Sequence, residues 1–164
     1  MIGWVSAVRD GVILSALASA LVVGTLRANP RLLMRHYPVE LRSAVPPQTP
    51  RERRTGLLIG LLLLSFLIGI PAASTAAWKD TSPNPAAFLD LWAHAFVVGT
   101  AFNLTDWLIL DELWLGVVRP RWAMLPGAED VPFRFNHLQH FRGFVVGSVL
   151  LGLSALAIAA ALLS

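Results

Sequence analysis

TGLLIGLLLLSFLIGIPAASTAAW, residues 55–78, carries no charged side chain. A helix needs roughly 20 predominantly apolar residues to cross a hydrocarbon core of about 30 Å, and this run is long enough. Three further apolar runs flank it, at residues 11–27, 86–116 and 141–163. The whole chain, 1–164, reads as a single transmembrane domain, an all-α integral membrane four-helix bundle. The chain is 55% hydrophobic and only 14% charged, too little charge to cover a soluble surface.

The Arg residues orient the runs. All Lys and Arg except Arg9 and Lys79 lie in residues 27–54 or 119–142, the two segments that alternate with the apolar runs. Loops retained in the cytoplasm keep their cations. Both Arg-rich loops are therefore expected in the cytoplasm, with the Lys79 loop and both termini outside. Trp4, Trp78 and Trp92 then fall at the outer interface, and Trp107, Trp114 and Trp122 at the inner one, as indole rings prefer. The net charge of +3 is confined to membrane-flanking loops, so anionic lipid headgroups are the nearer partner and nucleic acid is not expected. Cysteine is absent, which excludes disulfides, thiolate metal sites and Cys nucleophiles. No cleavable signal precedes the first run.

Local signals refine the spans. The first run is short for the core, with residues 1–8 as an apolar lead-in broken by Arg9 and Asp10, and is expected to extend into the Arg9 or Arg27 turn with those side chains snorkelling. Pro71 is expected to kink or end the second span. Asn84-Pro85 reads as a helix start, and the pattern from there continues to about Val118. At ~1.5 Å per residue that is roughly 50 Å, longer than the core. In the first Arg-rich loop, Asn29-Pro30 starts a short interfacial helix that Pro38 ends, and Pro46, Pro47 and Pro50 make a stiff extended stretch. Pro120, Pro126-Gly127 and Pro132 argue for turns in the second. Small residues recur at four-residue spacing as Ala16, Ala20 and Gly24, as Gly56 and Gly60, as Gly143 and Gly147, and as Ala155 and Ala159. Such stripes let helices approach closely in lipid.

Polar groups inside a span are costly and so need a reason. Asn103 and Asp106 share a face of the third span, and Asp111 and Glu112 lie at its inner end. His137 and His140 are three apart at the start of the fourth span, followed by Arg142. Antiparallel packing would bring Asp106, His137 and His140 together just under the cytoplasmic surface, with a ring nitrogen of His137 or His140 within hydrogen-bond or metal-bridging reach of Asp106, Asp111 or Glu112. Two imidazoles and a carboxylate are a candidate set for a divalent metal ion, with Arg142 as counter-ion. The competing reading makes them structural, with Asp106 in an ion pair with Arg142 or Arg119. A proton or ion pathway is a third. Asp90 and His94 read as a solvated outer pair, and the separation of His94 from His137 and His140 argues against a bis-His haem. Phosphate-cradling loops, nucleophile elbows and zinc-protease motifs are absent.

Several fragments also carry a resemblance. They are Asn29-Pro30-Arg31-Leu32, Tyr37-Pro38, Pro46-Pro47, Asn103-Leu104-x-Asp106, Leu108-Ile109-Leu110-Asp111, Pro126-Gly127-x-Glu129 and His140-Phe141-Arg142-Gly143. In this order the chain resembles a group of uncharacterised small four-span bacterial membrane proteins. It departs at His36, where an acidic residue is expected before Tyr37-Pro38, and in residues 131–137. The resemblance implies residence in the bacterial cytoplasmic (inner) membrane and points to Asp106, Asp111 and His140, but supplies no chemistry. Three functions stay open: a polar or metal-binding site at the cytoplasmic ends of spans three and four, an accessory or scaffolding subunit of a membrane complex, and a small transporter working as a homo-oligomer.

Overall fold

The computed structural model describes residues 3–82 and 84–164. Within them are four helices long and apolar enough to cross a membrane, and no strand. The first is α1 (Trp4–Ala28). A 3₁₀ segment (Pro30–His36) and the short α2 (Val39–Ser43) lead to the second, α3 (Pro50–Thr81). The third is α4 (Phe88–Thr105), continued by a π-helix (Asp106–Val118). The fourth is α5 (His137–Leu163). The third span packs against each of the other three. Leu14, Ala18, Val98 and Phe102 form the apolar seam where it meets α1. The remaining large side chains point outward along every span, for example Leu58, Leu61, Val149 and Leu153. An apolar exterior is what a lipid solvent demands.

Several local features differ from the sequence expectations. The first helix extends through the Arg9 and Arg27 turns, as expected, but also takes in the lead-in as far as Trp4. Arg9 and Asp10 pair at 2.7 Å, and Asp10 also accepts from Ser74 Oγ at 2.6 Å, which lowers the cost of placing them on a span. Of the lead-in, residues 1 and 2 lie outside the described residues. Pro71 does not end α3; it is buried ten residues before the helix end at Thr81. Asn84-Pro85 does not start the third span. That helix begins at Phe88, capped by Ala87 without a side-chain bond. The stripe of Ala16, Ala20 and Gly24 is also displaced: Ala16 and Ala20 are exposed and Gly24 has open space beside it. The packing face of α1 is Ala7, Gly11, Leu14 and Ala18 instead.

The two Arg-bearing loops meet at one end of the bundle and make a second, smaller core. Leu26 from the end of α1 and Met34, Tyr37, Leu41 and Val45 from the first loop pack on Ala123, Leu125 and Ala128 from the second. Arg31 is the clasp. Its Nε donates to Glu52 Oε1 at 2.7 Å and its Nη2 to Glu52 Oε2 at 3.3 Å, a two-pronged pair, while Nη2 also reaches the Pro46 and Pro47 carbonyls. Glu52 completes a capping box with Thr49 at the start of α3. Asn29 caps the 3₁₀ segment through Arg31 N–H. One arginine thus joins the 3₁₀ segment, the proline stretch and the second span.

Tyr37 fastens the two loops together. Its hydroxyl donates to the Ala123 carbonyl, and the ring is 8% exposed. Burial raises the phenol well above the ordinary tyrosine value. The folded chain therefore keeps this proton to higher pH than the unfolded chain. The stability it contributes is complete below the ordinary pKa of about 10 and is lost as pH rises through the elevated folded value. Tyr37 is the single tyrosine, so tyrosinate absorbance reports it alone. The titration midpoint should lie above that of free tyrosine, and cap melting in alkali should disappear in Tyr37→Phe. A midpoint at the free value would show the ring exposed.

Candidate functional site

The cap and the ends of the spans beside it enclose a cavity of about 690 Å³. That volume lies in the usual range for small-ligand pockets. Every span contributes: Val22 and Leu26 from α1, Leu63 from α3, Phe102, Asn103 and the π-helix from the third span, and His140, Gly143 and Phe144 from α5.

The π-helix governs what faces the cavity. In an α-helix Asp106 and Asp111, five positions apart, would point about 140° apart at 100° per residue. The i→i+5 bonding of a π-helix returns position 111 almost above position 106. Both carboxylates consequently line the cavity. π-Helical turns are concentrated at functional sites, and this one begins at Asp106. It ends at Arg119, in the left-handed region with φ 48°, whose N–H bonds back to the Trp114 carbonyl.

Asn103 sits one turn before Asp106 and bridges to the fourth span. Its Nδ2 donates to the Phe144 carbonyl and to Ser148 Oγ, each at 3.0 Å. Close approach at this level depends on Gly147, where a Cβ would lie 2.5 Å from Asn103 Oδ1. The helix pair thereby brings the start of α5 against the end of the third span.

Two imidazole–carboxylate pairs form there. His140 Nδ1 lies 2.7 Å from Asp111 Oδ2, and His137 Nδ1 lies 2.5 Å from Glu112 Oε2. The His140 pair is the sheltered one, with its two side chains 22% and 24% exposed, against 71% for His137. Phe135 stacks flat on the His140 ring at 4.4 Å and 7°, and Gly116 leaves the space for it. Asp111 thus fixes the ring through Nδ1, and stacking fixes its plane. Nε2 remains for other work. A carboxylate that orients an imidazole in this way is the arrangement of a general base.

Asp106 stands apart from both pairs. No hydrogen bond or ion pair reaches it among the described residues; Asp111 and His140 act on it through space. Arg142 is exposed and does not pair with it, so it is not its counter-ion. Beside Asp106, the indole N–H of Trp107 is buried without an acceptor. Among the described residues no three His, Asp or Glu side chains are arranged to hold a metal ion. The expected trio of Asp106, His137 and His140 is divided, because each histidine takes a different acidic neighbour on the π-helix.

His94 is the residue that sequence reading misjudged. It is fully buried rather than solvated. Ser6 Oγ lies 3.2 Å from Nε2 and Thr75 Oγ1 3.1 Å from Nδ1, and Trp78 stacks on the ring at 4.9 Å. Ser6 already donates to the Gly3 carbonyl, so His94 Nε2–H donates to Ser6 and Thr75 donates to Nδ1. A neutral ring with both nitrogens satisfied ties α1, α3 and α4 together. The hydroxyl partners lie 88 and 19 residues away, so no local spacing announces them.

The fold and cavity define a class: a multi-pass, all-α membrane protein with a largely apolar pocket, carrying a few carboxylates and imidazoles, at one end of its bundle. Beyond the class, comparison with protein-family models, curated proteins and solved structures gives no match.

Proposed function

We propose that this chain is a small multi-pass protein of the bacterial cytoplasmic membrane, with its cap in the cytoplasm and its cavity as an acid–base binding site. The carrying observation is Asp106, a carboxylate without a direct partner that faces the cavity beside the His140–Asp111 pair. His140 Nε2 is the group that would accept or return a proton, Asp111 its orienting partner, and Asp106 the charge that receives a polar ligand. Asn103 holds the third and fourth spans at the right separation. A buried polar group without a partner costs stability, so its retention favours a role over mere packing. The unassembled metal trio makes acid–base chemistry the better-supported reading than a resident divalent ion.

Carbodiimide modification tests this reading, because the reagent attacks carboxyl groups in apolar surroundings that no cation shields. Purified protein should gain one dominant adduct, located by peptide mass spectrometry at Asp106. Asp106→Asn should fold normally and lose the adduct. Modification spread evenly over surface carboxylates, with Asp106 spared, would overturn the proposal.

A further inference from the structure

We propose that the cavity takes the headgroup of an aminophospholipid, a phosphodiester carrying a primary ammonium. The inference rests on the cavity being the working site. Its charges are sorted by depth. Asp106 and the His140–Asp111 pair are part-buried on the wall made by spans three and four. Arg35, Arg42 and Arg134 are exposed at the mouth, and none of them is in an ion pair among the described residues. Glu40 also lines the mouth and is exposed.

An ammonium suits the inner wall. Asp106 is an acceptor, and a primary ammonium supplies N–H donors to satisfy it. A quaternary ammonium has no hydrogen to give, so phosphatidylcholine should fit less well. The phosphate suits the mouth, where free guanidinium groups match its oxygens. Leu63 and Phe144 also line the cavity, and the spans that carry them face outward with exposed apolar side chains such as Leu62 and Val145. Acyl chains would therefore meet apolar protein surface.

The test follows carbodiimide modification of Asp106 in nanodiscs of phosphatidylcholine alone, or mixed with phosphatidylethanolamine or phosphatidylglycerol. Phosphatidylethanolamine should slow modification several-fold relative to the other two, and Arg134→Gln should weaken that protection. Native mass spectrometry gives an independent readout: wild type should retain phosphatidylethanolamine preferentially, and Asp106→Asn should not. Equal protection by all three compositions, or equal retention, would overturn the headgroup assignment while a reactive Asp106 left the cavity reading intact. An unreactive Asp106 even in detergent would instead strike the cavity reading itself, with retention still deciding the headgroup. Free glycerophosphoethanolamine protecting as well as the lipid would overturn the bilayer as the source.

Discussion

Gly56→Ala should unseat the cap. A Cβ at Gly56 would lie 2.4 Å from the Leu32 carbonyl oxygen, a backbone atom of the 3₁₀ segment. A side chain could rotate away from such a clash; a carbonyl held inside a hydrogen-bonded turn cannot. The segment must move outward, and Arg31 moves with it. Its paired contact to Glu52 and its bonds to the Pro46 and Pro47 carbonyls then stretch together. Overpacking costs about 1–3 kcal/mol, and here the loss of the clasp adds to it. Thermal unfolding in detergent should show a clear fall in Tm. Gly60→Ala is the matched control, one turn along the same helix with nothing near its would-be Cβ. It should leave Tm unchanged or slightly raised, since alanine is the better helix former. Equal behaviour of the two variants would contradict the docking of the 3₁₀ segment on α3.

Gly147→Val should separate the third and fourth spans and disable the cavity. The added atoms would collide with Asn103, whose amide holds the Phe144 carbonyl and Ser148 Oγ. Asn103 is a side chain and can turn away, but doing so leaves an amide and a carbonyl unpaired in a low-dielectric setting, a cost of about 1–3 kcal/mol per group. Displacement of α5 would also draw His140 from Asp111. Gly147→Val should therefore lower Tm and change the reactivity of His140 toward diethylpyrocarbonate together. Gly143→Ala has open space and should do neither. A drop in Tm with His140 reactivity unchanged would show that the dyad does not depend on this contact.

The membrane spans could be read from the sequence because lipid imposes a simple demand, long apolar runs bounded by charge. Residues 55–78 meet it without ambiguity. The loop motifs were visible as words without a grammar. Asn29-Pro30-Arg31 and Pro46-Pro47 stand out in the sequence, yet their connection through Glu52 is tertiary, between residues 21 apart. Pro71 does not end its helix because a proline in a membrane helix is tolerated where neighbouring groups and local adjustment satisfy the freed carbonyl. The α1 stripe was misassigned because Ala and Gly are common throughout such helices, and composition does not say which face meets protein. Asp106, Asp111, His137 and His140 stood out as costly polar groups. Antiparallel packing also led to the expectation that His137 or His140 would reach Asp106, Asp111 or Glu112, and both do; which carboxylate each would take was not legible, because nothing in DWLILDELWLGVV distinguishes i→i+5 from i→i+4 bonding. His94 lay hidden for a related reason: its partners come from two other spans.

The proposed site requires the cap and cavity to face the cytoplasm, and single-cysteine accessibility tests this most directly. The native chain has no cysteine, so each introduced thiol reports alone. Gln139 is exposed at the cavity mouth, and Ser82 follows α3 at the opposite end of the bundle. With an impermeant maleimide, Gln139→Cys should label in inside-out vesicles and stay unlabelled in intact cells, and Ser82→Cys should do the reverse. Labelling of Gln139→Cys in intact cells, with Ser82→Cys protected there, would place the cavity outside and contradict the account.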